Sequence, residues 1–232
     1  MPEDRPPDVS ILVPALNEED TIGEVVERLL ALPISKQVIV IDDGSTDRTP
    51  EILAGYGDAI VVLRNEVRGG KGAAIRKAIP HATGKAVIIQ DADLEYSPEQ
   101  IPSLVAPIVE GEARAVYGTR FSKGFPKGMA LPNKTVNVLL AWSVRLLFWR
   151  RLTDEATCYK AFDRALLDRM NLQCVRFEFC PEVTAKTLRL GEIIREIPID
   201  YIPRDKKAGK KIRWTDAPEA FWTLLKWRFK GF

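Results

Sequence analysis

A single histidine, His81, and three cysteines without C-x-x-C spacing leave this 232-residue chain short of the usual ligands for a zinc centre. Cys158, Cys174 and Cys180 read as reduced thiols of a cytosolic protein. No apolar run reaches the ~20 residues that cross a bilayer. The most apolar long segment, Val136 to Leu152, is interrupted by Arg145, Arg150 and Arg151. Met1 to Asp8 is polar and proline-rich, which argues against a secretory leader. Internal repeats and low-complexity tracts are missing as well. The net charge of +2 is too small to mark a nucleic-acid partner.

What is present is a foldable core. Hydrophobic content of 46% against 28% charged residues excludes disordered and collagen-like classes. At this length a single domain over residues 1–232 is expected. Strand-like runs of Val, Ile and Leu at 9–13, 38–41, 59–63, 86–89 and 114–118 alternate with helix-periodic segments at 19–32, 47–54, 71–82 and 98–110. Continuously apolar strands in that alternation predict an α/β fold, a Rossmann-like, mostly parallel sheet covered on both faces. Asn17 or Asp20 is the expected cap of the first helix, and Ser45 or Asp47 of the second. Past residue 120 the rhythm changes to a Gly/Pro/Lys loop at 122–132, a long apolar helix expected to pack into the core, and a short segment at 157–162. Helices near 163–170 and 181–190 and a strand at 193–201 follow.

Acidic residues gather at two strand ends, Asp42-Asp43-Gly44-Ser45 and Asp91-Ala92-Asp93. Ligands bind at the carboxyl ends of the strands in open α/β sheets, and an Asp-x-Asp pair suits a hard divalent cation holding phosphate. Turn capping explains either cluster alone, but explains two at equivalent places in successive βα units poorly. Gly69-Gly70-Lys71-Gly72 is not a Walker loop, since Gly72 follows Lys71 and Asn65 stands five places before Gly70. Ile75 also breaks the dinucleotide fingerprint. Lys71 and Gly72 at a helix start could still help hold a nucleotide. Tyr96 and Pro102 rule out an EF-hand beginning at Asp91.

Taken in order, Ile11 to Glu19, Asp42-Asp43-Gly44-Ser45-Thr46-Asp47, Gly70-Lys71-Gly72, Asp91-Ala92-Asp93-Leu94-Glu95 and Tyr117-Gly118-Thr119-Arg120-Phe121 resemble the motifs of family 2 glycosyltransferases. The pattern is most similar to the polyprenyl-phosphate sugar synthases, such as dolichyl-phosphate mannose synthase. Asp154 with Thr157-Cys158-Tyr159-Lys160, and the basic stretch from Pro203-Arg204 to Lys210-Lys211-Ile212, extend the likeness over nearly the whole chain. The resemblance implies an inverting, metal-dependent transferase with a GT-A-type fold and C-terminal amphipathic helices. Residues 1–120 would bind the nucleotide sugar, and 121–232 would form the acceptor and membrane-interface half. By the same resemblance Pro14, Ala15, Glu18, Asp43, Lys71, Gly72, Asp91 and Ala92 bind a GDP- or UDP-linked donor. Asp91 and Asp93 hold Mg²⁺ or Mn²⁺. Glu95, where many relatives carry Gln, is a candidate third ligand.

An acceptor phosphate needs no general base, because its second pKa lies near 6 and it is already mostly dianionic at pH 7. It needs cations instead, to offset its repulsion from the donor diphosphate. Arg120, Lys134, Arg204, Lys210 and Lys211 are the candidates, although the 206–211 lysines also suit a plain solvated loop. Asp91, Asp93 and Arg120 form the expected catalytic set. Glu182 sits near a helix start, where a dipole role serves as well as contact with substrate. Phe221 to Phe232 interleaves Phe221, Trp222, Trp227, Phe229 and Phe232 with Lys226, Arg228 and Lys230, a composition suited to an anionic membrane surface. The expected location is cytoplasmic, peripheral on the membrane face, with a dolichyl or undecaprenyl phosphate as partner. The rival readings are a family 2 enzyme acting on a sugar hydroxyl and a non-catalytic nucleotide-sugar-binding module.

Overall fold

A computed structural model describes residues 6–122, 124–125, 129, 131–202 and 217–232. The β-branched runs become β1 (Val9–Ala15), β2 (Lys36–Asp42), β3 (Val61–Arg64), β4 (Ala86–Ile89) and β5 (Ala115–Thr119), followed by β6 (Lys160–Asp163) and β7 (Ile194–Pro198). They make one sheet in the order β3-β2-β1-β4-β6-β5-β7. β6 runs antiparallel to β4 and β5, and all other pairings are parallel. The chain lays β1, β2 and β3 outward and then returns to place β4 on the other side of β1. The crevice between the ends of β1 and β4 is therefore the topological switch point, where such sheets bind ligands.

The helices are α1 (Ile22–Leu30), α2 (Thr49–Ala54), α3 (Lys71–Ala78), α4 (Ile101–Val109), α5 (Leu131–Phe148), α6 (Arg164–Arg169), α7 (Phe179–Arg189) and α8 (Ala217–Phe229). In α1 the apolar residues Ile22, Val25, Val26 and Leu29 fall at helical spacing and are all buried against the sheet. β4 is buried from end to end and β1 at every residue but Pro14, and the core cluster continues to Leu224 and Trp227 in α8.

Several expectations need correction. β3 is an exposed edge rather than a strand covered on both faces. Thr21, not Asn17 or Asp20, precedes α1, and it makes no side-chain cap. Asn17 instead takes a left-handed φ of 51° and accepts a hydrogen bond from Thr46 N at 2.8 Å, stapling one strand-end loop to the next. The segment at 157–162 supplies β6, hidden in the sequence because it is four residues long and begins with a lysine. The apolar helix enters the core on one face only: Leu140 and Val144 of α5 are buried in it, and Val136, Leu147 and Phe148 pack against it. Trp142, Leu146 and Trp149 on and just after it are 64%, 77% and 86% exposed. No described helix is long and apolar enough to cross a membrane.

Candidate active site

The site is built from loops at the carboxyl edge of the sheet, where parallel register aligns the strand ends. Ala15 pairs with Asp42, and Gln90 N reaches Leu12 O at 2.9 Å. Asp43 N donates to Ala15 O at 2.8 Å, so Pro14, Ala15 and Asp43 lie side by side. The Asp43 carboxylate accepts from Asn65 Nδ2 and Gly69 N at 2.8 Å through Oδ1, and from Gly70 N at 2.7 Å through Oδ2. This carboxylate is thus the clamp that holds the 65–70 loop closed. Glu18 is buried; its N–H donates to Thr49 Oγ1 at 3.0 Å. Thr21 donates to Ala92 O at 2.7 Å and lies 3.2 Å from Glu18 Oε2, tying the β1 loop to the Asp91 loop.

Lys71 opens α3 and hydrogen-bonds Asp91 Oδ1, with Cys158 Sγ 3.4 Å away. Burial works against the ammonium, but Asp91 outweighs it and holds Lys71 well above the ordinary lysine value. Lys71 is therefore a fixed positive charge beside the carboxylate expected to hold metal. Gly72, an expected donor contact, also has a packing part. Its N–H donates to Arg176 O at 3.0 Å, and a Cβ there would come within 2.9 Å of Arg176 O and Cys174 C. Only glycine lets α3 lie against the 174–176 loop.

Asp93 Oδ1 accepts Glu95 N at 3.1 Å, and between them Leu94 takes φ 57°, a left-handed conformation costly for a side chain of that size. Among the described residues no three His, Cys, Asp or Glu groups converge as a metal cage. Glu95, the candidate third ligand, lines the same cavity as Asp91; its Oε2 accepts the Tyr201 hydroxyl at 2.9 Å, and its carbonyl accepts Ile202 N at 3.0 Å. Two carboxylates with all-oxygen donors still fit Mg²⁺ or Mn²⁺, since such ions are commonly held by one or two carboxylates plus substrate phosphates.

Arg120 follows β5 and is locked by Asp154. Its Nε and Nη2 lie 2.7 Å from the two carboxylate oxygens, and its backbone N donates to Oδ2 at 3.0 Å. The guanidinium also sits 5.2 Å from the Tyr201 ring and 5.0 Å from that of Phe121. Nη1 makes no hydrogen bond among the described residues, and Arg120 lines a cavity of about 150 Å³ with Lys71, Asp91, Glu95 and Tyr201. Burial pushes the Tyr201 phenol above its usual value, with the Glu95 carboxylate adding to the effect.

Lys134 is not brought to this cavity; its ammonium faces the Phe125 ring at 5.9 Å, while Asn133 and Asn137 of the same helix line the wall. Arg204, Lys210 and Lys211 lie outside the described residues. Glu182 is structural: buried, it pairs with Lys186 Nζ at 2.6 Å and accepts Gln173 N at 2.8 Å. Sequence reasoning passed over Glu155, Tyr96 and the Cys158–Cys180 wall of the cavity. Burial pushes both thiols up, so they stay protonated and present polarizable, uncharged surface.

The comparisons with known proteins agree with this geometry. The chain is 31% identical over 211 residues to the low-salt glycan biosynthesis hexosyltransferase Agl6 of Haloferax volcanii, which covers 89% of this chain and 50% of that protein. It is 32% identical over 213 residues to an undecaprenyl-phosphate 4-deoxy-4-formamido-L-arabinose transferase of Pectobacterium carotovorum, 87% of this chain and 61% of the relative. It thus spans between half and two thirds of these two proteins. Glucosyl-3-phosphoglycerate synthase from Mycobacterium tuberculosis, solved with UDP, superposes with a TM-score of 0.74 over 97% of this chain and 82% of that one, at 23% identity. The GT-A-type fold is therefore shared with a protein of distant sequence. Residues 10–170 match the sequence pattern described as glycosyl transferase family 2, and the chain belongs to that family.

Proposed function

We propose that this chain is an inverting glycosyltransferase that moves one sugar from a nucleotide-diphosphate donor to a polyprenyl phosphate. The observation that carries the acceptor reading is the cavity. Arg120 and Lys71 line it together with the carboxylates Asp91, Glu95, Glu155, Glu178 and Glu219, and Val136 and Leu140 of α5, Phe179 and Pro181 of α7 and Ala217 and Ala220 of α8 supply apolar surface. The Arg120 guanidinium beside that apolar surface suits an anionic headgroup carried on a hydrocarbon chain. The undecaprenyl-phosphate transferase among the relatives supports the same class of acceptor. We read residues 1–120 as the donor half and 121–232 as the acceptor half of one catalytic unit.

In this reading Pro14, Ala15, Glu18 and Asp43 border the nucleoside. Asp91 and Asp93 hold Mg²⁺ or Mn²⁺, which when bound offsets the charge that builds on the leaving diphosphate. A structure of the M. tuberculosis synthase contains Mn²⁺ with UDP-glucose. Arg120, held by Asp154, offers a guanidinium edge to the acceptor phosphate. Phosphate needs no proton removed, so no carboxylate has to act as base. The exposed apolar residues of α5 and α8 support a reading in which the active site works at a membrane surface.

The test is transfer of labelled sugar from UDP-glucose, UDP-N-acetylglucosamine and GDP-mannose to undecaprenyl and dolichyl phosphate with Mn²⁺. A lipid-extractable, labelled product is expected from one donor. EDTA, or the substitution Asp93→Asn, should each reduce its formation on the order of 100-fold. Full turnover in EDTA would remove the metal, and transfer only to soluble sugars would favour a hydroxyl acceptor.

A further inference from the structure

Glu155 follows Asp154 on the loop before β6 and lines the same cavity, yet it has no part in the reaction as assigned. The residue is 1% exposed. Its Oε1 accepts the Thr184 hydroxyl at 3.2 Å. Its Oε2 is fully buried and has no hydrogen-bond partner among the described residues. The neighbouring Thr157 hydroxyl, on the same loop, is likewise without a partner. A buried carboxylate oxygen without a donor costs the full desolvation of that atom, and proteins retain such groups chiefly where a ligand completes them. The nearby charge does not complete it. Lys160 Nζ is spent on the Glu155 carbonyl at 2.6 Å and on the Tyr117 ring at 3.8 Å.

The location says what the missing donor is. Lys71 and Asp91, assigned to the donor, and Arg120, assigned to the acceptor and held by the neighbouring Asp154, line the same cavity as Glu155. The carboxylate therefore shares one cavity with the groups assigned to the donor diphosphate and the group assigned to the acceptor phosphate. What lies between two phosphates in such a transfer is the sugar, whose only hydrogen-bond donors are hydroxyl or amide groups. We propose that Glu155 Oε2 accepts a hydrogen bond from a hydroxyl of the transferred sugar and helps determine which sugar is used. The proposal rests on the donor and acceptor assignments above.

The test separates sugar from nucleotide. UDP, UDP-glucose, GDP and GDP-mannose are titrated with Mn²⁺ into wild type, Glu155→Leu and Glu155→Gln by calorimetry, and the ratio of nucleotide-sugar to nucleotide affinity is taken for each. For the base that wild type prefers, E155L should lower that ratio about tenfold or more, with affinity for the free nucleotide unchanged. E155Q, which keeps shape and the Thr184 contact, should lower it less and melt no earlier than wild type without ligand. E155Q thereby preserves the test if E155L does not fold. An unchanged ratio in the folded variants, or a lower melting temperature of E155Q with its ratio intact, would overturn the proposal and leave Glu155 a structural group. Wild type binding none of the four nucleotides is a different result, since it would overturn the donor assignment itself.

Discussion

Arg120 and Asp154 are buried together, the carboxylate completely, and neither is satisfied without the other. Taking two charges out of water costs several kcal/mol each, which the pair regains through two short charge-assisted hydrogen bonds and the backbone contact. Asp154→Asn leaves the guanidinium buried beside a neutral amide, and breaking such a pair costs about 3–5 kcal/mol. Urea denaturation of the variant is expected to show a loss of that size. Apolar substitution of both partners, Arg120→Met with Asp154→Leu, should be more stable than Asp154→Asn alone and still inactive. That ordering would mean that the pair is kept for chemistry rather than for stability. A double variant that retained transfer would remove Arg120 from the site. The Asp91 and Lys71 pair follows the same logic on the donor side, with the ammonium held charged against burial by its carboxylate.

Among the elements, α3 shows how a backbone constraint sets a side chain's position. Gly70 at φ 97° turns the chain into the helix, and Gly72 lets the first turn touch the 174–176 backbone, which leaves Lys71 between them at Asp91. Gly72→Ala puts a methyl group against two backbone atoms that cannot rotate away. The variant should lose about 1–3 kcal/mol of stability in a thermal melt and bind donor nucleotide more weakly, because α3 must move off the loop with Lys71 attached. Unchanged nucleotide affinity would show that Lys71 is not positioned this way. The sequence made the parallel strands and the Asp91, Asp93 and Arg120 positions legible, because continuous β-branched runs and strand-end carboxylates are local signals. β6 was not legible, since its membership is decided by its neighbours rather than by Lys160-Ala161-Phe162-Asp163. Pairings such as Lys71 with Asp91, Tyr201 with Glu95 and Arg120 with Asp154 join residues 20, 106 and 34 apart, and nothing local announces them. The outward turn of α5 was hidden for a related reason: its apolar residues read the same whether they meet a core or a membrane.

For the molecule as a whole, much of the exposed apolar surface lies on α5 and α8, which pack together. Leu224 and Trp227 turn inward, and Trp227 lies under Lys186 Nζ at 3.7 Å, so α8 is anchored in the body of the protein. Trp222 and Phe229 point the other way, 64% and 76% exposed, and Trp142, Leu146 and Trp149 are exposed on and just after α5. Arg145, Arg228 and Lys230 stand among these aromatics, at 5.8 Å from Trp142, 5.9 Å from Phe229 and 5.4 Å from Trp227 respectively. Tryptophan with interleaved cations is the composition of the bilayer headgroup layer. Removing all of residues 221–232 would also remove Leu224 and Trp227 from the core, so point substitutions are the cleaner probe. Each Lys or Arg near an anionic surface contributes about 1 kcal/mol, and replacing Lys226, Arg228 and Lys230 by Gln should weaken binding to anionic liposomes by a few kcal/mol at low salt. Trp142→Ser with Trp222→Ser should weaken binding at high salt as well, because the apolar contribution is not screened. Sedimentation with phosphatidylglycerol vesicles at two salt concentrations distinguishes the two effects. Wild type remaining in the supernatant at low salt would separate this face from the membrane and take away the geometric reason for a lipid acceptor.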